Sequence, residues 1–415
     1  MTPSSYLCLV IIILVGAFLL DLAANFINLR ALDPGVPEEF SDTFDPERYA
    51  TSQRYLKENI QLDVFKNGLF TLMTIGFILW GGFKTVDEIA CSFGWGNVAS
   101  GLIFIAILAL LKSILDLPFS IYETFVIESK YGFNNTTPKI FFTDFVKGLL
   151  LAAALGLPLL AAVLWFFETI GPRAWIYCWL GVVLYMIVIQ FLAPAVIMPW
   201  FNRFDPLPEG ELKDQILKYA NKEKFKVKGV FTMDGSKRSS KLNAFFTGFG
   251  RFRRIVLFDT LMKKLEVSEI VAVLAHEMGH FKLRHIQKMM ALSVAQTGFI
   301  FFLFSLFLEN QALAKAFGLE QPSTYSSLVF LGFLYTPVSI FVGMVFNYFS
   351  RRWEFEADAY AAKDGDQAAA LISALKKLSA ENLSNLTPHP LYVILHYSHP
   401  PVLKRMQALK RLMQP

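Results

Sequence analysis

Residues 6–20 read YLCLVIIILVGAFLL. Whether this run is a cleaved leader or a retained helix decides how many times the chain crosses a membrane. A secretory leader carries a positive segment before its apolar core and a small-residue cleavage site after it. No Lys or Arg precedes this run, and the following LDLAANFINLRAL offers no clear cleavage site. The run therefore reads as a transmembrane helix. About 20 apolar residues cross a bilayer as a helix, and six more runs qualify. The expected spans are 5–25, 66–83, 98–121, 145–169, 174–198, 288–308 and 326–349. Backbone in lipid must satisfy its own hydrogen bonds, which makes helix the default.

Composition agrees. Of 415 residues, 54% are hydrophobic and only 18% charged, where a soluble domain carries about 25% charged residues. Mean hydropathy is +0.44, and 41 Phe suit helices facing lipid. The expected fold class is an all-α polytopic membrane protein. The net charge of +5 is spread over loops. No basic, aromatic-interleaved patch suggests nucleic acid as a partner. Cys8, Cys91 and Cys178 form no CxxC pair, so neither a disulfide framework nor a cysteine zinc site is expected.

Charge placement orients the spans. Segments 26–65, 122–144, 202–287 and 350–415 hold most of the Lys and Arg. The alternate connections hold only Lys84, Arg173 and Lys315. The positive-inside rule then puts the N-terminus outside and the C-terminus in the cytoplasm, which an odd number of spans permits. Four segments follow: a membrane region at 1–201 with five spans, a loop domain at 202–287, spans six and seven at 288–349, and a helical C-terminal domain at 350–415.

The loop domain reads as a small α/β insertion. DPLPEGELKDQILKYANKEKF (205–225) has a proline-rich entry and an amphipathic helix. KGVFTMDGS (228–236) reads as a strand and turn, and NAFFTGFGRFRRIVLFDTLM (243–262) as two strands around a glycine-containing turn. VSEIVAVLAHEMGHFKLRHIQ (267–287) reads as a helix with Ser268 as its candidate cap.

That last helix carries HEMGH, an HExxH motif. His276 and His280 are four apart and share a helix face, so two imidazoles can bind one zinc. Glu277 can reach the metal's water without being a ligand. Catalytic zinc takes three protein ligands and leaves one position open. The pattern HExxHxxGxxH would supply a third histidine, but here the extra one falls at 285 and the spacing fails. Lys282, Arg284, His285 and Lys288 place the motif at or beyond the membrane face. The best third ligand lies in YFSRRWEFEADAYAA (348–362), which begins as the last span ends. Two spans separate His280 from Glu354, so both return to the same side. Glu354 is assigned as the third ligand. Asp358 shares its face and is placed to accept a hydrogen bond from a ligand imidazole. Glu356 points away and reads as a surface residue.

HEMGHFKLRH (276–285) with RRWEFEADAYA (351–361) resembles the Ste24-type CAAX prenyl proteases, zinc metallopeptidases of family M48. IYETFVIESKYGFN (121–134), LPEGELK (207–213), LNAFFTGFGRFRRIVLFDTLM (242–262) and YSHPPVLKRMQAL (397–409) extend the resemblance over nearly the whole chain. It implies seven transmembrane helices around a large, water-filled chamber, with a gluzincin-like HExxH helix in the cytoplasmic insertion. It also implies one Zn2+ per chain and removal of the last three residues from a CAAX-type, prenylated peptide or protein substrate. His276, His280 and Glu354 match the ligands and Glu277 the catalytic base. Asn243, His399 and Arg405 match positions lining the substrate groove; His399 is the candidate donor to the oxyanion, and Arg405 could pair with a substrate carboxylate or with nearby Asp or Glu. Arg284 stands where such motifs often have Gly. The ending RLMQP lacks a dilysine signal, and with the modest length it leans towards a bacterial member. The expected location is a bacterial inner membrane, or the ER membrane for a eukaryotic chain, with membrane lipid as a partner and the site on the cytoplasmic side. Two rival readings are a quality-control membrane protease with no prenyl requirement and a non-enzymatic lipid or peptide chamber braced by zinc.

Overall fold

The computed structural model describes residues 1–33, 35–225, 227–247, 254–363 and 365–414. Its first part is helical: α1 (Pro3–Arg30), α2 (Pro46–Leu79), α3 (Gly82–Ser92), α4 (Asn97–Tyr122), α5 (Pro138–Ile170), α6 (Trp175–Leu192) and the short α7 (Met198–Phe201). The side chains of Thr2, Asp45 and Thr137 cap α1, α2 and α5, each followed by proline in the first turn. Such caps satisfy amides that have no partner inside the helix, and proline there forfeits nothing.

Among the described residues, six helical runs are long and apolar enough to cross a membrane. The expected spans 145–169 and 174–198 fall within one of them, Pro138–Phe201. That run turns at Gly171 (φ 72°) through a single 3-10 turn, Gly171–Ala174, which separates α5 from α6. Helix α2 begins twenty residues before the expected span. Its polar start, 46–65, lies in a segment expected to connect two spans, because hydropathy registers only the apolar half. Helix α3 likewise lies in a stretch expected to be a connection. Side chains such as Leu72, Leu110, Leu184 and Phe341 stay exposed, which hydrocarbon tolerates and water does not. A cavity of about 890 Å³ lies among the helices, lined by Asp21, Asn67, Lys112 and apolar residues including Phe70 and Phe333.

The second part mixes strands and helices: β1 (Phe204–Pro206), α8 (Glu211–Lys222), β2 (Gly229–Met233), β3 (Ala244–Thr247), β4 (Arg254–Phe258), α9 (Asp259–Met262) and α10 (Val267–Lys282). The sheet order is β1-β2-β4-β3, with β2 and β4 parallel and the outer pairs antiparallel. Strand β1 overlaps the stretch whose sequence reads as a proline-rich entry. It has three residues and ends in Pro206, which only an edge strand accommodates. The glycine-containing turn between β3 and β4, 248–253, lies outside the described residues. The chain continues through α11 (His285–Phe307), α12 (Gln311–Ala316), α13 (Thr324–Ala361), α14 (Gly365–Glu381), α15 (Pro390–His396) and α16 (Val402–Leu412). Helix α13 runs unbroken from an apolar span into the acidic segment.

The loop and C-terminal segments share one hydrophobic core, with Ile255, Leu257, Leu274 and Met278 packed among residues that include Tyr360, Leu371 and Leu409. Arg238 ties this body to the membrane helices through a two-point bond to Asp144 on α5 (2.7 and 3.1 Å) and a bond to the Phe201 carbonyl (2.8 Å).

The cap of α10 corrects the expectation for Ser268. Glu266 is the capping residue, forming a reciprocal box with Glu269, while Ser268 lies inside the first turn. Glu269 also anchors α10 to α14, accepting from Ser373 (2.6 Å) and Lys377 (2.9 Å). Burial opposes its ionisation, but Ser373 and Lys377 hold its carboxyl below the usual range. Its contribution is therefore full above the unfolded value near 4.5 and is lost as pH falls through the lowered native one. Glu269→Ala should cost about 1–3 kcal/mol, read as a lower unfolding temperature in detergent at pH 7.

Candidate metal centre

Helices α10 and α13 cross closely because of Gly279. A Cβ there would sit 3.1 Å from the Ala357 backbone and from the Tyr360 Cβ. The glycine of HEMGH therefore brings the two-histidine face of α10 against the acidic face of α13. His280 Nε2 lies 3.1 Å from the Glu354 carboxylate and 3.1 Å from His276 Nε2. His276 Nε2 lies 3.5 Å from the other Glu354 oxygen. His276, His280 and Glu354 form a group able to hold a metal ion.

The separations fit zinc. Ligand atoms about 2.1 Å from a tetrahedral zinc stand about 3.4 Å apart. The hydrogen bonding points the same way. His276 Nδ1 is 2.8 Å from Asp358 Oδ1, and His280 Nδ1 is 3.1 Å from His285 Nδ1. With His276 Nδ1 donating to Asp358 and His280 Nδ1 facing His285, the two Nε2 atoms converge beside the Glu354 carboxylate. Such a cluster calls for a cation.

Without a metal, a proton takes that role. Burial and the Arg405 guanidinium oppose a charge on His276, but hydrogen bonds to Asp358 and Glu354 prevail and raise its pKa to about 9. Metal uptake must displace that proton. Metal affinity should therefore tighten as pH rises towards 9, with protons released on binding. Calorimetry in buffers of different ionisation enthalpy reads this release.

Glu277 lines a cavity of about 320 Å³ together with His280, Glu354, His399 and Phe246. His399 is 65% exposed, with Nε2 3.4 Å from Glu354 and Nδ1 2.9 Å from Ser398 Oγ. Asn243 does not line this cavity. It is exposed at the head of edge strand β3, where its Oδ1 accepts from the Ala244 amide (2.8 Å). Strand β3 itself reaches the cavity through Phe246.

Arg405 takes the second of its two expected partners, nearby acidic groups rather than a substrate carboxylate, and is only 9% exposed rather than set in an open groove. Its guanidinium forks onto Asp358 (2.8 and 2.7 Å) and lies 3.1 Å from Glu354. It backs the metal ligands, because α16 packs behind α13. Glu356, expected at the surface, is half-buried, 3.2 Å from His285 and 3.1 Å from Arg352. His285 was set aside for its spacing, yet it is 3% exposed and stacks on Trp353 at 5.4 Å. The third histidine of LAHEMGHFKLRH was the available signal. The joint before it, Arg284, adopts φ 59°, a left-handed conformation that glycine takes without strain.

Residues 25–203 match the family model for the CAAX prenyl protease N-terminal region with five membrane helices, and residues 206–413 match peptidase family M48. The chain is 36% identical to the CAAX prenyl protease 1 homolog of Oryza sativa, over 97% of this chain and 96% of that protein. It is 35% identical to CAAX prenyl protease 1 of Saccharomyces cerevisiae, over 90% and 88%. The crystal structure of S. mikatae Ste24p superposes with a TM-score of 0.93 at 32% identity, covering 97% of this chain and 99% of that one. Fold and site thus define an integral membrane metalloendopeptidase. The chain belongs to peptidase family M48, in the group carrying the CAAX prenyl protease N-terminal region.

Proposed function

We propose that the chain is a zinc endopeptidase that removes the C-terminal tripeptide from prenylated CAAX-type substrates. The observation that carries this reading is the convergence of His276, His280 and Glu354, the last two on one cavity with Glu277. The first three would hold zinc, with Asp358 orienting His276 and Arg405 holding Asp358 and Glu354 in place. Zinc, when bound, supplies Lewis acidity that activates water near neutral pH and polarises the scissile carbonyl.

The protein's own residues do the rest. Glu277 takes the proton of the attacking water and returns it to the leaving amine. His399, on the same cavity, donates to the developing oxyanion. Strand β3, at the edge of the sheet among the described residues, offers its outer side to an extended peptide, with Asn243 at its head able to hold a peptide carbonyl.

We read α5 and α6 as two separate crossings, which makes seven and puts the site on the cytoplasmic side. The cavity among the membrane helices then gives a lipid tail somewhere to lie while its peptide reaches the zinc. Matched peptides with and without a farnesyl group test this part. The lipidated peptide should be cut much faster, and equal rates would favour a protease that ignores the lipid.

A further inference from the structure

The two histidine ligands are held in different ways. His276 meets a carboxylate directly, since its Nδ1 lies 2.8 Å from Asp358. His280 meets another imidazole, since its Nδ1 lies 3.1 Å from His285 Nδ1. The far nitrogen of His285 lies 3.2 Å from Glu356, which is held in turn by Arg352 at 3.1 Å. His285 is buried, its ring stacked 10° from parallel on Trp353.

From this geometry we propose that His285 is a positioning residue for the metal, acting through His280 in a Glu356–His285–His280 relay. This rests on the zinc reading given above. Two nitrogens facing each other at hydrogen-bond distance share one proton. A carboxylate can only accept, so Glu356 takes the Nε2–H of His285. That leaves the His285 Nδ1 as an acceptor. His280 must then carry its proton on Nδ1, which turns a bare Nε2 towards His276 and Glu354. The stack on Trp353 fixes the His285 ring plane, and the left-handed joint at Arg284 lies between the helices that carry His280 and His285. Groups that hold a ligand imidazole in one tautomer typically contribute 10–100-fold to metal affinity. His285 also lines the cavity that holds Glu277 and His399, so zinc affinity measured without substrate separates metal positioning from substrate contact.

The experiment compares zinc affinity of the purified full-length protein in detergent, by competition with a chromogenic chelator, alongside the unfolding temperature of the metal-free forms. His285→Leu keeps bulk but cannot accept, and should bind zinc about 10–100-fold more weakly. His285→Asn places its Oδ1 where Nδ1 stood and should hold zinc within about threefold of the parent. Glu356→Ala leaves the His285 tautomer unset and should fall between the two. Rescue by Asn but not Leu is the signature of the hydrogen bond rather than of packing. Parental affinity in the Leu variant overturns the proposal. So does an Asn variant as weak as Leu while its metal-free form melts like the parent. Should the Leu variant not fold, parental affinity in Glu356→Ala overturns it instead. A parent protein that takes up no zinc is a different result, and refutes the zinc reading itself.

Discussion

Glu277→Gln should abolish proteolysis while leaving zinc in place. Glutamine keeps the size and shape of the side chain, so the cavity wall and the helix are undisturbed. It cannot accept the proton of the attacking water. General acid–base groups contribute about 10²–10⁴-fold, and Glu277 is asked to serve twice, first as base and then as acid. The upper end is expected, a barrier increase of about 5 kcal/mol. Zinc content should not change, because Glu277 is not among the three groups that converge. The pairing of lost turnover with retained metal is the informative result. A zinc-loaded Gln variant that cuts at the parental rate would remove the proposed mechanism and reopen the non-enzymatic chamber reading.

Arg405→Met should produce the second large effect, on stability and metal binding rather than on the proton transfer. Methionine fills much of the volume but leaves Asp358 and Glu354 with only the His276 imidazolium to offset two buried carboxylates. Breaking a buried ion pair by removing one partner costs about 3–5 kcal/mol. The cost should be greatest without zinc, since a bound cation offsets part of the lost charge. Arg405→Lys should restore little, because the two bonds to Asp358 and the approach to Glu354 use a planar fork that an ammonium cannot reproduce. Unfolding temperature in detergent, with and without zinc, reads both effects. A metal-free Met variant that melts with the parent would show that Arg405 does not brace the site.

Much of this architecture was legible before any coordinates, for physical reasons that can be named. Lipid demands long apolar helices, so hydropathy alone marked the membrane segments. The i, i+4 spacing of His276 and His280 put both on one helix face. The parity of the intervening spans singled out the acidic cluster at 354–358 as able to reach them. What stayed hidden depends on contacts between distant parts of the chain. Arg405 looks like one more surface charge on an amphipathic helix until α16 is packed behind α13. Glu356 looks solvated until His285 is brought to it by the joint at Arg284. The polar start of α2 carries no hydropathy signal, and β1 is too short to show a pattern. Ser268 is a good capping residue in isolation, but Glu266, two residues earlier, caps the helix in a reciprocal box with Glu269.

The most direct test is to incubate the purified protein with a farnesylated CAAX peptide and identify the products by mass spectrometry, with and without a chelator. The account predicts release of the intact C-terminal tripeptide, loss of that cleavage on chelation, and its return when zinc is added back. Cleavage that persists after the metal is stripped would contradict it, as would a fully zinc-loaded protein that leaves the peptide whole.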